Sequence, residues 1–313
     1  MSQQGPLLIV SNSGRPAFTG ALDEARMFPL IEARFSHAAR AVAQTQPSAV
    51  LVDMQGADAS EFAALAQFVA ARTPYLPLIA IDPSASLPDN AIPFSSQGGK
   101  CDRLPARLNA ALRVRSLHMT VLRRLLEEPT TRLPDSDPAQ DATVLLIGRG
   151  GAYPALSVAF GERLGVVGAF SIEAAANHLN TRDIDGVVLV DGFSPRVVDA
   201  FLTVLAEDTR FRKLPVLLTS RELAPAYDLP NLEIVAGEPA EIAANALPLI
   251  RQHAFEGRLG RTLRAIDAEG LLDPQTGLLV KTTFYSDFVN AVQQTPAGGG
   301  GLSVARFAFE GDN

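Results

Sequence analysis

Short apolar runs recur along this chain without the alternation of a half-buried strand. Leu7–Val10, Met27–Ile31, Ala49–Val52, Leu78–Ile81 and Ala91–Phe94 form a first set. Val144–Ile147, Val166–Phe170, Gly186–Val190, Val216–Leu218 and Leu232–Val235 form a second. Continuous runs of this length predict strands of a parallel sheet covered on both faces. The segments between them are Ala-rich, as in Ala57–Ala71, and predict helices. Each set of five βα units predicts a doubly wound sheet.

The two sets read as copies. Leu7-Leu8-Ile9 recurs as Leu145-Leu146-Ile147, Pro16 as Pro154, Leu51-Val52-Asp53 as Leu189-Val190-Asp191, Pro77 as Pro215 and Arg113 as Arg251. All are 138 residues apart, so residues 1–128 and 142–256 align without a gap and point to a duplicated fold. The repeat singles out Asp53 and Asp191, each closing an apolar strand.

Each copy ends in a long helical pattern. The first runs from about Arg103 to Glu128, with Leu108, Leu112, Leu117, Val121 and Leu125 on its apolar stripe. Pro129–Thr143 reads as a linker. The second pattern runs from near Ala240 to Glu269, and Pro248 is expected to kink it or mark its first turn. Arg258, Arg261 and Arg264 read as its solvated flank. Only Pro83–Asn90 separates strands four and five of the first copy. That is too short for a helix of about eleven residues with its loops.

Composition narrows the class. The 313 residues are 47% hydrophobic and 19% charged, enough to build two or three cored domains. A net charge of −7 disfavours nucleic acid as a partner, because phosphate binding needs a basic face. The lone Cys101 excludes an internal disulfide, and no apolar run is long enough to span a bilayer. Met1-Ser2-Gln3-Gln4 does not read as a signal peptide, so the expected location is the cytoplasm. His37, His118, His178 and His253 show no metal-ligand spacing, and Gly298–Gly301 reads as a flexible turn.

Five βα units with an Asp closing the third strand resemble the receiver domain of bacterial response regulators, and residues 1–256 resemble two in tandem. Asp273-Pro274-Gln275-Thr276-Gly277-Leu278 resembles the opening motif of a GGDEF (diguanylate cyclase) domain. Phe284 and Leu302–Phe307 follow where that domain's first helix and first strand would lie. The whole is similar to PleD-type tandem-receiver GGDEF response regulators, and closest to the non-catalytic side of that group. The resemblance implies an α/β chain of two flavodoxin-like receivers followed by the start of an α/β GGDEF domain. Its map is receiver 1–128, linker 129–142, receiver 143–256, connecting helix 257–270 and partial GGDEF domain 271–313.

The departures from the family pattern carry the functional reading. A receiver that accepts phosphate on aspartate holds Mg²⁺ with an acid pair after strand one, and Mg²⁺ demands a near-octahedral oxygen shell. It also has a hydroxyl after strand four and a lysine after strand five. The first copy offers Ser11 and Asn12 for the acid pair, Asp82 for the hydroxyl and Ser95-Ser96-Gln97 for the lysine. Asp53 is then expected to stand alone, facing the carboxylate of Asp82. The second copy offers Gly148 and Arg149 for the acids, keeps Ser220, and has Glu238 at the lysine position. Arg149 is expected to pair with Asp191, and both strand-end aspartates read best as loop caps. In the third segment Ala308 replaces the metal-binding Asp, and Val280-Lys281 replaces the usual Asn-Arg. The resemblance thus implies a non-enzymatic adaptor with no cofactor in this chain, and cyclic di-GMP bound by the domain beyond Asn313. Protein partners are expected through the receivers, together with a homodimer, recruitment to a cell pole, and a role in cell-cycle control and regulated proteolysis. The partner surface is expected around Leu87 and Phe94. The alternative is an active diguanylate cyclase switched by receiver phosphorylation, against which Ala308 and the missing acid pairs count.

Overall fold

The computed structural model describes residues 5–25, 28–96, 101–127, 131–219, 227–298 and 303–305. The chain divides into two compact units, one of Met1–Arg123 with Asp135–Leu259, the other of Arg124–Pro134 with Gly260–Asn313.

The first unit holds two five-stranded parallel sheets. In the first module the order is β2-β1-β3-β4-β5, built from β1 (Leu7–Val10), β2 (Leu30–Ala33), β3 (Ala49–Asp53), β4 (Leu78–Ile81) and β5 (Ala91–Phe94). The second module repeats it with β6 (Thr143–Ile147), β7 (Gly165–Ala169), β8 (Gly186–Leu189), β9 (Val216–Leu218) and β10 (Leu232–Ile234). Numbered within each module, both orders are 2-1-3-4-5, that of a doubly wound sheet with its crevice between the first and third strands.

Each sheet is buried on both faces. Leu8, Val10, Val50 and Val52 pack with Phe35 and Val42 of α2 (Phe35–Thr45) and Phe62 and Leu65 of α3 (Ala59–Ala70). Leu7, Ile9 and Leu51 pack with Leu22 of α1 (Thr19–Glu24) and Leu104 and Leu108 of α4 (Leu104–Glu127). In the second module Leu145, Ile147, Val187 and Leu189 face α6 (Ile172–Thr181) and α7 (Pro195–Glu207). Val144, Leu146, Val188 and Val190 face α5 (Tyr153–Gly161) and α8 (Pro239–Asp267).

These faces correct the gapless 138-residue repeat. Leu7 points to the α1–α4 side, whereas Leu145 points to the α6–α7 side, which corresponds to α2–α3. A strand alternates faces at every residue, so a slip of one turns each side chain over. Leu7 therefore corresponds to Val144 and Asp53 to Val190, a spacing of 137. The sheet registers put β4 and β9 138 apart, from Leu78 to Val216, and β5 and β10 141 apart, from Ala91 to Leu232.

No helix joins β4 to β5. The loop is tied down instead: Leu87 enters the α2–α3 core at 6% exposure, and Asn90 Nδ2 donates to the Ala66 carbonyl at 2.8 Å.

The modules pack through β5, β10, α4 and α8. Leu249 of α8 is buried in the first module's core. Arg107 is fully buried; its Nε donates to Pro230 O at 2.6 Å, its Nη2 to Leu232 O at 3.0 Å, and its Nη1 to Pro93 O. Arg113 makes a two-pronged pair with Glu256, 3.0 Å on each arm. Side chains thus tie the edge strands β5 and β10 to each other's modules, with Arg107 reaching the carbonyls of Pro93 and Leu232 and Glu233 accepting the Ser95 N–H.

The solvated-flank reading fails for Arg258, which is 1% exposed. It donates to Ser136 O and, at 2.9 Å, to Asp141, anchoring the 3-10 turn Pro138–Asp141 that precedes β6. Arg251 binds the same segment through Asp137 at 2.8 Å. A helix that serves as a partner's wall buries residues that would be its wet side if it stood alone. Pro248 lies inside α8 and not at its first turn.

The second unit contains an ion pair of 2.8 Å between Arg124 and Asp267. It also holds a hairpin in which Leu272 bridges Leu279, and the helix α9 (Lys281–Gly298). Among the described residues no helix is long and apolar enough to cross a membrane.

Candidate functional site: the carboxyl-end crevices

In a doubly wound sheet, ligands bind outside the carboxyl ends of the strands where the order reverses. Ser11 and Asp53 meet there in the first module. Ser11 Oγ donates to Asp53 Oδ2 at 2.9 Å and accepts the Ser13 N–H at 3.1 Å. The Gln55 N–H donates to Asp53 Oδ1 at 3.1 Å. Asp53 is 8% exposed, and Asn12 points to solvent. Both carboxylate oxygens thus have a donor, which satisfies a charge that burial would otherwise penalise.

Asp53 does not stand alone, since Ser11 and Gln55 both donate to it. Asp82 has its own donors, the Ser96 N–H and hydroxyl, each at 2.7 Å. Its backbone has φ 52°, a left-handed conformation open to Asp because its short polar chain bonds locally. Cys101 lies near it, and its thiol pKa is raised by burial first and then by Asp82 and Asp102. Gln97 of the expected lysine position lies outside the described residues.

In the second module Gly148 and Val190 stand where Ser11 and Asp53 stand in the first. The Gly148 N–H donates to Ala169 O as the Ser11 N–H donates to Ala33 O. A Cβ on Gly148 would lie 2.7 Å from the Val190 Cβ, so only glycine fits against that valine. Asp191, expected as the second acceptor aspartate, is the next residue and is exposed. The expected Arg149–Asp191 ion pair is absent. The N–H groups of Arg149 and Gly150 donate to the Asp191 carbonyl at 3.1 and 3.0 Å. The exposed Arg149 side chain donates to Phe170 O and lies over the Phe193 ring, 5.8 Å from its centroid. Glu238 is exposed and ends the loop before α8: its carbonyl accepts from Glu241 and Ile242, and its N–H donates to Glu241 Oε2 at 3.3 Å. Ser220 lies outside the described residues.

A magnesium ion tests these crevices. It wants several hard oxygens at about 2.1 Å in octahedral array. The first crevice supplies Asp53, already bonded by a hydroxyl and an amide. The second supplies a methylene against a valine. Neither set of residues fits the ion, and among the described residues no group of three His, Cys, Asp or Glu could hold a metal.

Leu87 and Phe94, expected on a partner surface, are core residues at 6% and 1% exposure. Sequence reading missed Glu233, which is 1% exposed on β10. It accepts the Ser95 N–H at 3.1 Å and lies 3.5 Å from Arg107. Burial raises its pKa, and Arg107 and Arg103 oppose the rise. Burial also brings Arg107 down to about 10, so it stays charged at neutral pH. One signal was available: Leu232-Glu233-Ile234 sets a charge in the middle of an apolar strand.

The Asp273–Leu278 motif folds as a tight turn. Asp273 Oδ1 accepts from the N–H groups of Gln275 and Thr276 and from the Thr276 hydroxyl. Gly277 closes the turn at φ 72°, where a side chain would be strained. Val280 then accepts the Phe284 N–H at the start of α9. Ala308 lies outside the described residues.

No family model matches the sequence, and no curated protein matches it. Among solved structures the chain is similar to a probable two-component system response regulator/GGDEF domain protein, at 13% identity and a TM-score of 0.27, covering 84% of this chain and 99% of that one. It is similar also to an NADPH-dependent glyoxylate/hydroxypyruvate reductase from Sinorhizobium meliloti, at 16% identity and a TM-score of 0.21, covering 89% and 98%. A third is 3-phosphoglycerate dehydrogenase from Entamoeba histolytica, at 10% identity and a TM-score of 0.22, covering 83% and 96%. Likeness at this level does not separate signalling proteins from dehydrogenases, and what the structure itself establishes is an α/β chain with two five-stranded parallel sheets.

Proposed function

We propose that this chain is a non-enzymatic signalling scaffold: two receiver-like modules that do not take up phosphate, leading into a GGDEF-like domain that binds cyclic di-GMP. In this reading it resembles the PopA type within the PleD-like group and recruits proteins in bacterial cell-cycle control and regulated proteolysis. The observation that carries the reading is the pairing of crevices, Ser11 on Asp53 in one and Gly148 on Val190 in the other. Phosphoryl transfer to a carboxylate relies on a metal to neutralise developing charge. A crevice with a single, already bonded carboxylate lacks the means to hold one. The active-cyclase alternative requires a metal ligand in place of Ala308.

The test uses the full-length protein with GTP and Mg²⁺, followed by cyclic di-GMP binding measured by calorimetry. Tight binding without turnover supports the scaffold. Steady Mg²⁺-dependent production of cyclic di-GMP from GTP overturns it.

A further inference from the structure

A cleft of about 240 Å³ opens where the two modules meet. The first module contributes Arg72, Tyr75 and His118, and the second Arg251, Gln252 and Phe255. One wall is aromatic: the Phe255 ring stands edge-on to Tyr75 at 5.7 Å and to His118 at 5.1 Å.

The polar groups of the cleft are unbalanced toward donors. Gln252 is 8% exposed, yet its Nε2 has no hydrogen-bond partner among the described residues. A buried amide donor without an acceptor is uncommon and calls for one. Arg72 stacks on Phe68, 3.9 Å from the ring centroid, and makes no ion pair with a described residue. Arg251 is already paired with Asp137, and Asp89 on the rim with Arg163 at 3.8 Å. One positive charge, that of Arg72, is therefore left at the mouth. Arg115 adds a second cation behind Tyr75, donating to its carbonyl at 2.8 Å. His118 sits on the same wall, its pKa lowered chiefly by burial and secondarily by Arg115.

We propose that this inter-module cleft binds a small monocarboxylate with an aromatic body, its carboxylate on Arg72 and Gln252 and its ring against Tyr75 and Phe255. Planar guanidinium and amide donors suit a carboxylate, and an aromatic edge suits a ring. The size fits a small ligand, since drug-sized pockets start at about 300 Å³. Because both modules supply contacts, the bound ligand fastens them together. Occupancy then becomes a signal carried by the way the modules pack, independent of phosphate.

The full chain is titrated with sodium benzoate as the probe, with acetate and benzyl alcohol as comparators, by calorimetry and thermal unfolding. Benzoate binds saturably and raises the unfolding temperature, while the comparators at equal concentration do neither. Arg72 is exposed, so Arg72→Gln keeps the unliganded unfolding temperature. It weakens benzoate by about tenfold or more, the loss expected for one charge-assisted pair. Arg196→Gln, an exposed change on α7, leaves binding intact. Two results overturn the proposal: no saturable benzoate binding up to concentrations on the order of 10 mM, or equal binding by wild type and Arg72→Gln.

Discussion

Replacing Arg107 by methionine should destabilise the paired modules more than any surface change. The side chain is fully buried and serves three carbonyls, Pro93, Pro230 and Leu232, while its charge faces Glu233 at 3.5 Å. Methionine fills much of the volume and supplies no donor. Glu233 is left as a buried carboxylate held by the Ser95 N–H, with Arg103 as the remaining nearby cation. Breaking a buried pair by removing one member costs about 3–5 kcal/mol. That is a large part of the roughly 5–15 kcal/mol that holds a typical domain. Urea unfolding followed by circular dichroism at pH 7 measures it. Two refinements make the reasoning specific. First, Arg107→Met with Glu233→Leu should recover most of the loss, because a well-packed apolar pair replaces a buried ionic one at little cost. Second, the single variant should gain stability as pH falls. Burial raises the Glu233 pKa in the folded state, so the folded protein takes up the proton before the unfolded chain does. A loss below about 1 kcal/mol, the range of exposed ion pairs, or a double variant no better than the single one, would refute a buried clasp between modules.

Other expectations follow from the same packing. Leu87→Asp should destabilise the first module by about 3 kcal/mol or more, as a buried unpaired charge does; near-wild-type unfolding in urea would return Leu87 to the surface. Gly148→Ala should cost about 1–3 kcal/mol through overpacking against the Val190 Cβ, and Val190→Gly in the same chain, which removes that Cβ, should relieve it, so that the double variant loses less than the two single variants added together. Failure of that rescue in denaturant titrations would separate the two residues. His118 accepts the Tyr75 N–H at 3.0 Å on Nδ1, and burial, then Arg115, lowers its pKa. The unfolded chain therefore protonates first, and its stabilising effect is present above about pH 6.5 and lost as pH falls below that. His118→Gln should flatten this part of the stability–pH curve, and an unchanged slope would exclude His118 as its source.

The strands were legible because a sheet covered on both faces is written in uninterrupted apolar runs. The same property hid the true relation between the modules. A strand that is polar on one face fixes its own phase, but Leu7-Leu8-Ile9 and Leu145-Leu146-Ile147 are apolar on both. Matching letters 138 apart turns the side chains of the first and third strands to the wrong face, and sets Asp191 against Asp53 where the fold has Val190. The lost helix between β4 and β5 was readable, since Pro83 and Pro88 in eight residues leave no room for one. What Leu87 does there was not, because an apolar residue in a proline-rich loop reads the same whether it plugs a core or awaits a partner. Arg107 and Arg258 escaped for a related reason. Each lies on a helix face that would be wet in isolation and is dry here because another segment covers it. The vacated acid positions Ser11 and Gly148 were visible from residue type alone, while the Ser11–Asp53 bond needed the fold.

The most direct test of the account is to incubate the protein with acetyl phosphate and Mg²⁺ and follow it by intact-mass spectrometry with peptide mapping. The expected result is no phosphorylated species at Asp53, whose oxygens are held by Ser11 and Gln55, and none at Asp191. A phosphoryl adduct on Asp53 that requires Mg²⁺ and disappears in Asp53→Asn would contradict it.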